Sequence, residues 1–328
     1  MILVGDIGGT NTRLAVFEAQ DNQLQLVIHD TFPSRVHANL DEIVHHFIQT
    51  HQVCASLACF GVAGPVRHGR CEATNLPWVV DAQQLAQVVH LDKVWLINDL
   101  EAQAYGTAVI DSKDFVVLSE GAPGAEGNAA VIAAGTGLGE AGLYWDGTQH
   151  WPFATEGGHG SFAPTNDLEM ELLRYLLRRF THVSWERLLS GPGLYNIYTF
   201  LRDTGHGEEP RWLHEELQQH DPAAVISRAA LTGTADICVQ ALDLFVAFYG
   251  AEAGNLALKL MATGGVFVAG GIAPKILKKL QAGSFMQSFV AKGRMRALLE
   301  TIPVRVVVND QAALFGAAHC ATLRAASL

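Results

Sequence analysis

MILVGDIGGTNTRLAVFEAQ, residues 1–20, decides how the rest of the chain is read. Apolar residues run up to Asp6. Gly8 and Gly9 follow, then Thr10, Asn11 and Thr12, and alternation resumes at Leu14 and Val16. The pattern is strand, tight turn, strand. A hairpin turn calls for glycine at positive φ, but not for an aspartate before the glycines or hydroxyls after them. Glycines let a backbone approach a ligand closely and aim its N–H groups at an anion. Thr10 adds a hydroxyl donor. Asp6 is placed to hold Mg²⁺ through water, because that ion keeps much of its hydration shell.

Working outward, strands are expected at 2–7, 13–18 and 23–32. A helix follows with Leu40, Ile43, Val44, Phe47 and Ile48 on one face, and Asn39 and Glu42 stand at capping-box spacing before it. Next come a strand at 55–62 running into the turn GVAGPVRHGR, a short helix from Asp81, the strand VWLI and a helix from Leu100. The second half echoes the first. AAVIAAGTGLGEAGLYWDG (129–147) is again strand, glycine turn, strand, and VRVVVNDQAALFGAA (304–318) parallels VWLINDLEAQAYGTA (94–108). A duplicated β-β-β-α-β-α unit follows from this: an α/β chain with mixed sheets flanked by helices, not a plain doubly wound array. Two such lobes facing each other would leave a cleft for ligands. The expected lobes are 1–105 plus 300–328, and 106–299.

The 328 residues suffice for two domains with sizeable cores. A net charge of −11 argues against nucleic acid as a partner. Five scattered cysteines form no CxxC pair and suit a reducing, cytoplasmic setting. The opening residues carry no basic stretch ahead of the apolar run, so no secretory leader is expected. The longest apolar stretch, 237–261, is broken by Asp243, Glu252, Asn255 and Lys259, so no membrane span is expected.

GTGLG (135–139) and AGGIAPKI (269–276) are two further glycine turns, each after an apolar strand, and Thr136 repeats the hydroxyl of Thr10. One such turn is ordinarily just a turn; three point to phosphate. GxxxxGK[ST] is absent, which excludes a P-loop NTPase. Gly137, Gly139 and Gly142 fit GxGxxG, but that motif requires a helix next. AGLYWDGTQHW reads instead as a hairpin turning at Asp146-Gly147, so a dinucleotide-binding fold is set aside.

DIGGTN, LIND, GTGLGEA, TEGGH, ERLLSGPGL and AGGIAPKI, in this order and spacing, resemble the bacterial ATP-dependent glucokinase family, from about residue 3 to about 320. The resemblance implies the two-lobed actin-like ATPase (ribonuclease H-like) fold shared with hexokinases, ATP with Mg²⁺, and a homodimer. SFAPTND follows Gly158-His159-Gly160 without a cysteine, so the zinc cluster of a related kinase branch is not expected. By resemblance, Gly5, Asp6, Ile7, Gly8, Gly9, Thr10 and Asn11 would hold ATP phosphates together with Gly135, Thr136 and Gly137. Gly270 and Gly271 would leave room for adenosine.

Asn98 and Asp99 end an apolar strand, where Asp99 would serve in any case as the cap of a helix from Leu100. Glu156 and His159 stand among glycines, and Glu186 precedes SGPGL. A hexose presents hydroxyls that are donors and acceptors at once, and carboxylates bind them through strong charge-assisted bonds. By resemblance, Asn98, Asp99, Gly137, Glu156, His159 and Glu186 match glucose contacts, and Asp99 is the expected base for the attacking 6-hydroxyl. Thr74–Trp78 (TNLPW) edges the sugar or joins the core. Three rivals stay open: a kinase for mannose, fructose or an amino sugar; a sugar-sensing regulator, which would carry a helix-turn-helix before the DIGGT turn, where five residues precede Asp6; and an actin-like filament or chaperone ATPase, which leaves TEGGH and Asn98-Asp99 without a task.

Overall fold

The computed structural model describes residues 1–20, 23–73 and 76–326. In chain order these form β1 (Ile2–Ile7), β2 (Asn11–Gln20), β3 (Gln23–Pro33), α1 (Leu40–His51), β4 (Leu57–Val62), β5 (Val66–Arg67), β6 (Arg70–Glu72), β7 (Val79–Asp81), α2 (Ala82–Val89), β8 (Trp95–Asn98) and α3 (Asp99–Gly106). Then come β9 (Phe115–Ser119), β10 (Ala129–Ala134), β11 (Leu138–Trp145), β12 (His150–Thr155), α4 (Asp167–Leu176), α5 (Gly191–Asp203), α6 (Arg211–Gln219), α7 (Pro222–Thr232) and α8 (Asp236–Leu260). The chain ends with β13 (Gly265–Ala269), α9 (Leu277–Gln281), α10 (Ser284–Val290), α11 (Arg296–Glu300), β14 (Val304–Val307) and α12 (Ala312–Ala326). Two compact units result: Met1–Asp114 with Ala141–Ala154 and Asn309–Leu328, and Phe115–Glu140 with Thr155–Val308.

The two main sheets have orders β3-β2-β1-β4-β8 and β12-β11-β10-β13-β14-β9. Apart from the added edge strand β9, the second order repeats the first, as the internal echo in the sequence predicts. In the first unit β1 lies antiparallel to β2 and parallel to β4, and β4 is parallel to β8. Two-residue periodicity divides β1 between two faces. Leu3 and Ile7 join a core with α1 and α2, whereas Ile2 and Val4 join one with α3 and α12. A strand covered on both faces must be apolar throughout, which is why the opening residues read as a continuous run. Gly61 on β4 leaves room for the Cα of Asp99, 3.6 Å from where its own methyl would sit. A methyl at Gly316 on α12 would overlap the carbonyl of Ala102 on α3. These two close approaches seat α3 between β4 and α12.

The second unit is built round α8. Its length and composition would let it cross a membrane, but 67% of its most apolar window is buried, and Phe245, Phe248, Tyr249 and Leu256 form core. The Tyr249 hydroxyl accepts from Ala134 N at 3.0 Å and lies 3.2 and 3.1 Å from the carbonyls of Ile132 and Ala269. It therefore ties together the ends of β10 and β13.

Local departures from the sequence reading have simple causes. The GVAGPVRHGR turn expands into the three-stranded sheet β5-β6-β7. After the AGGIAPKI turn the chain passes through a 3₁₀ turn, Ala273–Ile276, before α9. The expected capping box at α1 is offset: Asn39 accepts from Glu42 N at 2.9 Å, but Glu42 answers Ala38 N, not Asn39 N. The expected hairpin at Asp146 forms, with Asp146 Oδ1 accepting from Thr148 N and Gln149 N. A strand therefore follows the GxGxxG match, as expected.

Candidate active site

In α/β sheets ligands gather beyond the carboxyl ends of the parallel strands, where loops and helix N-termini present unpaired backbone groups. The sequence-predicted residues of the first unit lie there. After β1 the chain turns through Gly8–Thr10, closed by Gly8 N donating to Asn11 O at 3.0 Å. Ser34, which the sequence reading missed, braces this turn from beneath. Its N–H meets Thr10 O at 2.9 Å, and its hydroxyl meets Gly8 O at 2.8 Å and lies 3.0 Å from Thr12 Oγ1. With the backbone fixed, Thr10 and Asn11 stand exposed at the tip. Gly5 and Ile7 serve packing: a methyl on Gly5 would stand 2.5 Å from Phe60, and Ile7 is buried.

Asp6, half-buried, pairs across the strands with Arg13. Burial raises its pKa above the ordinary carboxyl value, and Arg13 opposes that rise. No cluster of three or more acidic, histidine or cysteine ligands exists among the described residues. Asp6 is a single desolvated carboxylate, a donor set that fits Mg²⁺ only with water and phosphate as its other ligands.

At the end of β8, Asn98 is the cap, and this corrects the expectation that Asp99 caps α3. Asn98 Oδ1 accepts from Leu100 N at 2.9 Å and Glu101 N at 3.4 Å, while its Nδ2 donates to Gly64 O at 3.0 Å. One amide hydrogen is left over by that count. Asp99 becomes the first residue of α3, half-buried at the positive end of the helix dipole. In the parallel pair Asn309-Asp310 it is again the asparagine that binds the backbone ahead: Asn309 Oδ1 accepts from Gln311 N at 2.8 Å. Of the TNLPW stretch, Thr74 and Asn75 lie outside the described residues, and Trp78 is buried in the core.

In the second unit, Gly135 N donates to Gly137 O at 2.8 Å, and Gly135 O accepts from Gly191 N at 2.9 Å. Thr136 is exposed at the tip. Gly270, with φ of +84°, packs on the end of β10, where a methyl would be 2.5 Å from Ala134 O. Gly271 faces open space.

Glu186 lies in the single 3₁₀ turn Trp185–Arg187 and reaches the glycine turn: its Oε2 accepts from Leu138 N at 3.0 Å. A methyl at Gly137 would lie 2.5 Å from the same oxygen, so only glycine admits the carboxylate here. Trp185 N donates to Gly160 O at 2.9 Å, which fastens this turn to the one carrying Glu156 and His159. Those two side chains are exposed, with Nε2 3.9 Å from Oε2. Gly137, Glu186, Glu156 and His159 thus belong to one hydrogen-bonded framework, rich in acceptors and open to solvent. Glu140, buried on β11, was not singled out from the sequence. Its signal was a lone carboxylate flanked at two-residue spacing by Leu138 and Gly142.

The family model described as glucokinase matches residues 3–324. The chain is 42% identical over 336 residues to a glucokinase of Nostoc punctiforme, covering 98% of each. It superposes on a crystal structure of a glucokinase from an Antarctic psychrotroph with TM-score 0.84 and 35% identity, covering 98% of both chains. A ROK family glucokinase from Streptomyces griseus, in complex with glucose and AMPPNP, shares the fold at TM-score 0.67 and 20% identity, covering 98% of this chain and 99% of that one. The actin-like ATPase architecture expected from the sequence is therefore the observed one.

Proposed function

The chain belongs to the glucokinase family, and on that footing we propose that it transfers the γ-phosphoryl group of ATP to the 6-hydroxyl of D-glucose, giving glucose 6-phosphate and ADP. The observation that carries the reading is the Asn98-Asp99 step. A cap bound at both ends fixes the backbone at the first residue of α3, so the residue that carries the carboxyl is anchored at a strand terminus. In this role Asp99 accepts the hydroxyl proton while the sugar oxygen bonds to the γ-phosphorus and the bridging bond to ADP breaks. The transition state is loose, so orientation and charge neutralisation contribute more than basicity.

Glu156 and His159 hold the anomeric side of the ring in this reading, with Glu186 and the Gly137 backbone beside them and Asn98 offering its spare amide hydrogen. A carboxylate has about four acceptor positions, so Glu186 can serve Leu138 and a sugar hydroxyl together. The turns at Gly8–Asn11 and at Gly135–Gly137 present backbone N–H groups and the hydroxyls of Thr10 and Thr136 to phosphate, and the open face of Gly271 admits the nucleoside. Asp6 would hold Mg²⁺ through water, and the ion would supply neutralisation of phosphate charge. On the same reading the enzyme is a cytoplasmic homodimer working in glycolysis. Five cysteines, all free, suit that compartment, and sedimentation gives the mass.

The test is Asp99→Asn in a coupled assay for ADP. Loss of one oriented catalytic group costs about 10²–10⁴-fold, so kcat falls by that much while calorimetric affinities for glucose and ATP persist. Wild-type turnover removes Asp99 from the mechanism. Glu156→Gln raises the KM for glucose and leaves that for ATP in place; the reverse pattern defeats the sugar assignment.

A further inference from the structure

Beneath the turn that carries Glu156 and His159 lies a carboxyl group with no task in the proposed reaction. Glu140 is 1% exposed, and neither of its carboxyl oxygens has a hydrogen-bond partner among the described residues. Its Oε2 lies so near Gly157 that a methyl group there would overlap it. The same stretch of β11 holds the turn twice more. Thr155 Oγ1 donates to Glu140 O at 2.9 Å and accepts from Gly157 N at 3.2 Å, and Gly158 packs on the carbonyl of Leu138. The turn rests directly on Glu140.

The group that faces this carboxyl is a second one. Glu252 on α8 is fully buried and bound by Asn255 Nδ2 at 2.7 Å and Lys259 Nζ at 2.9 Å. Lys259 and Tyr249, on the same helix, are the other titratable groups acting on or sensing Glu140. Beyond α10, Lys292 donates to Ala251 O at 2.8 Å and senses Glu252, Lys259 and Glu169 of α4. Two buried carboxylates with one ammonium between their charges, bonded to Glu252 alone, cannot both remain charged cheaply. Burial first, and Glu252 second, push Glu140 up to about 8. Near neutrality it is a carboxylic acid.

We infer that Glu140 is a positioning residue for the sugar-binding turn: in its neutral form it seats Gly157 and so sets Glu156 and His159, and its ionisation unseats them. The inference rests on the reading that this turn binds the hexose. The mechanical argument is one of relative stiffness. An ionised Glu140 faces Glu252 and has no donor, so something must move. β11 is held in its sheet and α8 is a 25-residue core helix. The single turn at Gly157–His159, with two glycines, is the soft element.

The experiment compares the full-length wild type with Glu140→Gln, measuring kcat and the KM for glucose and for ATP from pH 7 to 9.5, a window above the ordinary imidazole range. In the wild type, the KM for glucose rises about tenfold by pH 9, as expected for one group titrating near 8, while kcat and the KM for ATP show no such limb. Glu140→Gln keeps the neutral-pH KM and abolishes the rise. An alkaline limb that survives in Glu140→Gln, or a glucose KM raised equally at every pH, overturns the inference. Glu252→Gln removes the repulsion and moves the limb to lower pH, to about where ionisation of Glu140 is set by burial and Lys259 alone; displacement toward alkali, or none, refutes the coupling. Glucose titrations of Glu156→Gln at pH 7 separate the two levels. If they match wild type, the sugar site itself is misassigned; if they weaken while the Glu140 limb fails, the positioning role alone falls.

Discussion

Glu140→Gln also has a consequence for stability that is independent of any substrate. In the unfolded chain a glutamate ionises near 4.5, and in the folded protein Glu140 is held up to about 8, by burial first and by Glu252 second. An acid raised in this way favours folding least where the unfolded chain has already lost its proton. Its contribution is intact below the unfolded value, declines as pH climbs from there, and levels off beyond the folded one. A tenfold change in proton affinity is about 1.4 kcal/mol. Integrating the linkage between pH 5 and pH 8 gives about 3 kcal/mol of stability lost by the wild type through this residue. Glutamine does not titrate, and its amide can donate to Glu252. The difference in unfolding free energy between Glu140→Gln and wild type therefore shifts toward the variant by about 3 kcal/mol between those two pH values. Urea unfolding at pH 5 and pH 8, followed by circular dichroism, reads it directly as displaced midpoints at equal slope. A difference that stays constant with pH, or moves against the variant, would mean that Glu140 is ionised in the fold and bound by Lys259, and the reasoning fails.

Asn98→Ala removes a cap and strands the Gly64 carbonyl, which costs about 2–4 kcal/mol of stability. A loss under about 0.5 kcal/mol in a urea series would show that water replaces those bonds. Gly137→Ala drives the Glu186 carboxylate off Leu138 N and costs about 1.5–3 kcal/mol, the range for a hydrogen bond to a charged group, with a raised KM for glucose. Unaltered stability and KM would mean Glu186 swings away freely. Gly316→Ala pushes α12 from α3 by overpacking, at about 1–3 kcal/mol. Because Asp99 begins α3, kcat should fall more than the KM for glucose rises, and unchanged kcat counts against the view that this helix contact aims Asp99.

Much of this was legible in the residues because each signal was local. Alternation in 1–20 and in 129–147 announced the hairpins; Asn39 announced the start of α1; the two Asn-Asp steps announced strand ends followed by helices. What escaped reading was set by distance or by subtle chemistry. Asn98 rather than Asp99 became the cap because its amide also reaches Gly64 O, 34 residues away in sequence, a bond that a carboxylate could not donate. Ser34 braces the first glycine turn only once β3 has returned alongside β2. Glu252, Asn255 and Lys259 looked like interruptions of an apolar stretch; in the fold they are one hydrogen-bonded set on α8, with Glu252 facing Glu140.

The repeated topology also explains why the two units differ in chemistry. In each, a hairpin turn follows the first strand of the motif, and tertiary hydrogen bonds hold that strand end beside the next parallel strand: Ala63 N to Ile7 O at 3.0 Å in one unit, Ile272 N to Ala134 O at 3.2 Å in the other. A turn anchored on both sides can carry almost any side chains, so sequence is free to diverge there. In the first copy the acid precedes the glycines, as Asp6, where only Arg13 offsets its burial. In the second, the acid follows them, as Glu140, five residues past Gly135 and pointing into the core instead of out of the turn. One architecture thus yields an acid desolvated at a strand end and another stored as a neutral group beneath the turn that carries Glu156 and His159. The displacement of a carboxylate along the strand, with no change in topology, is enough to convert a candidate for cation binding into a candidate for positioning.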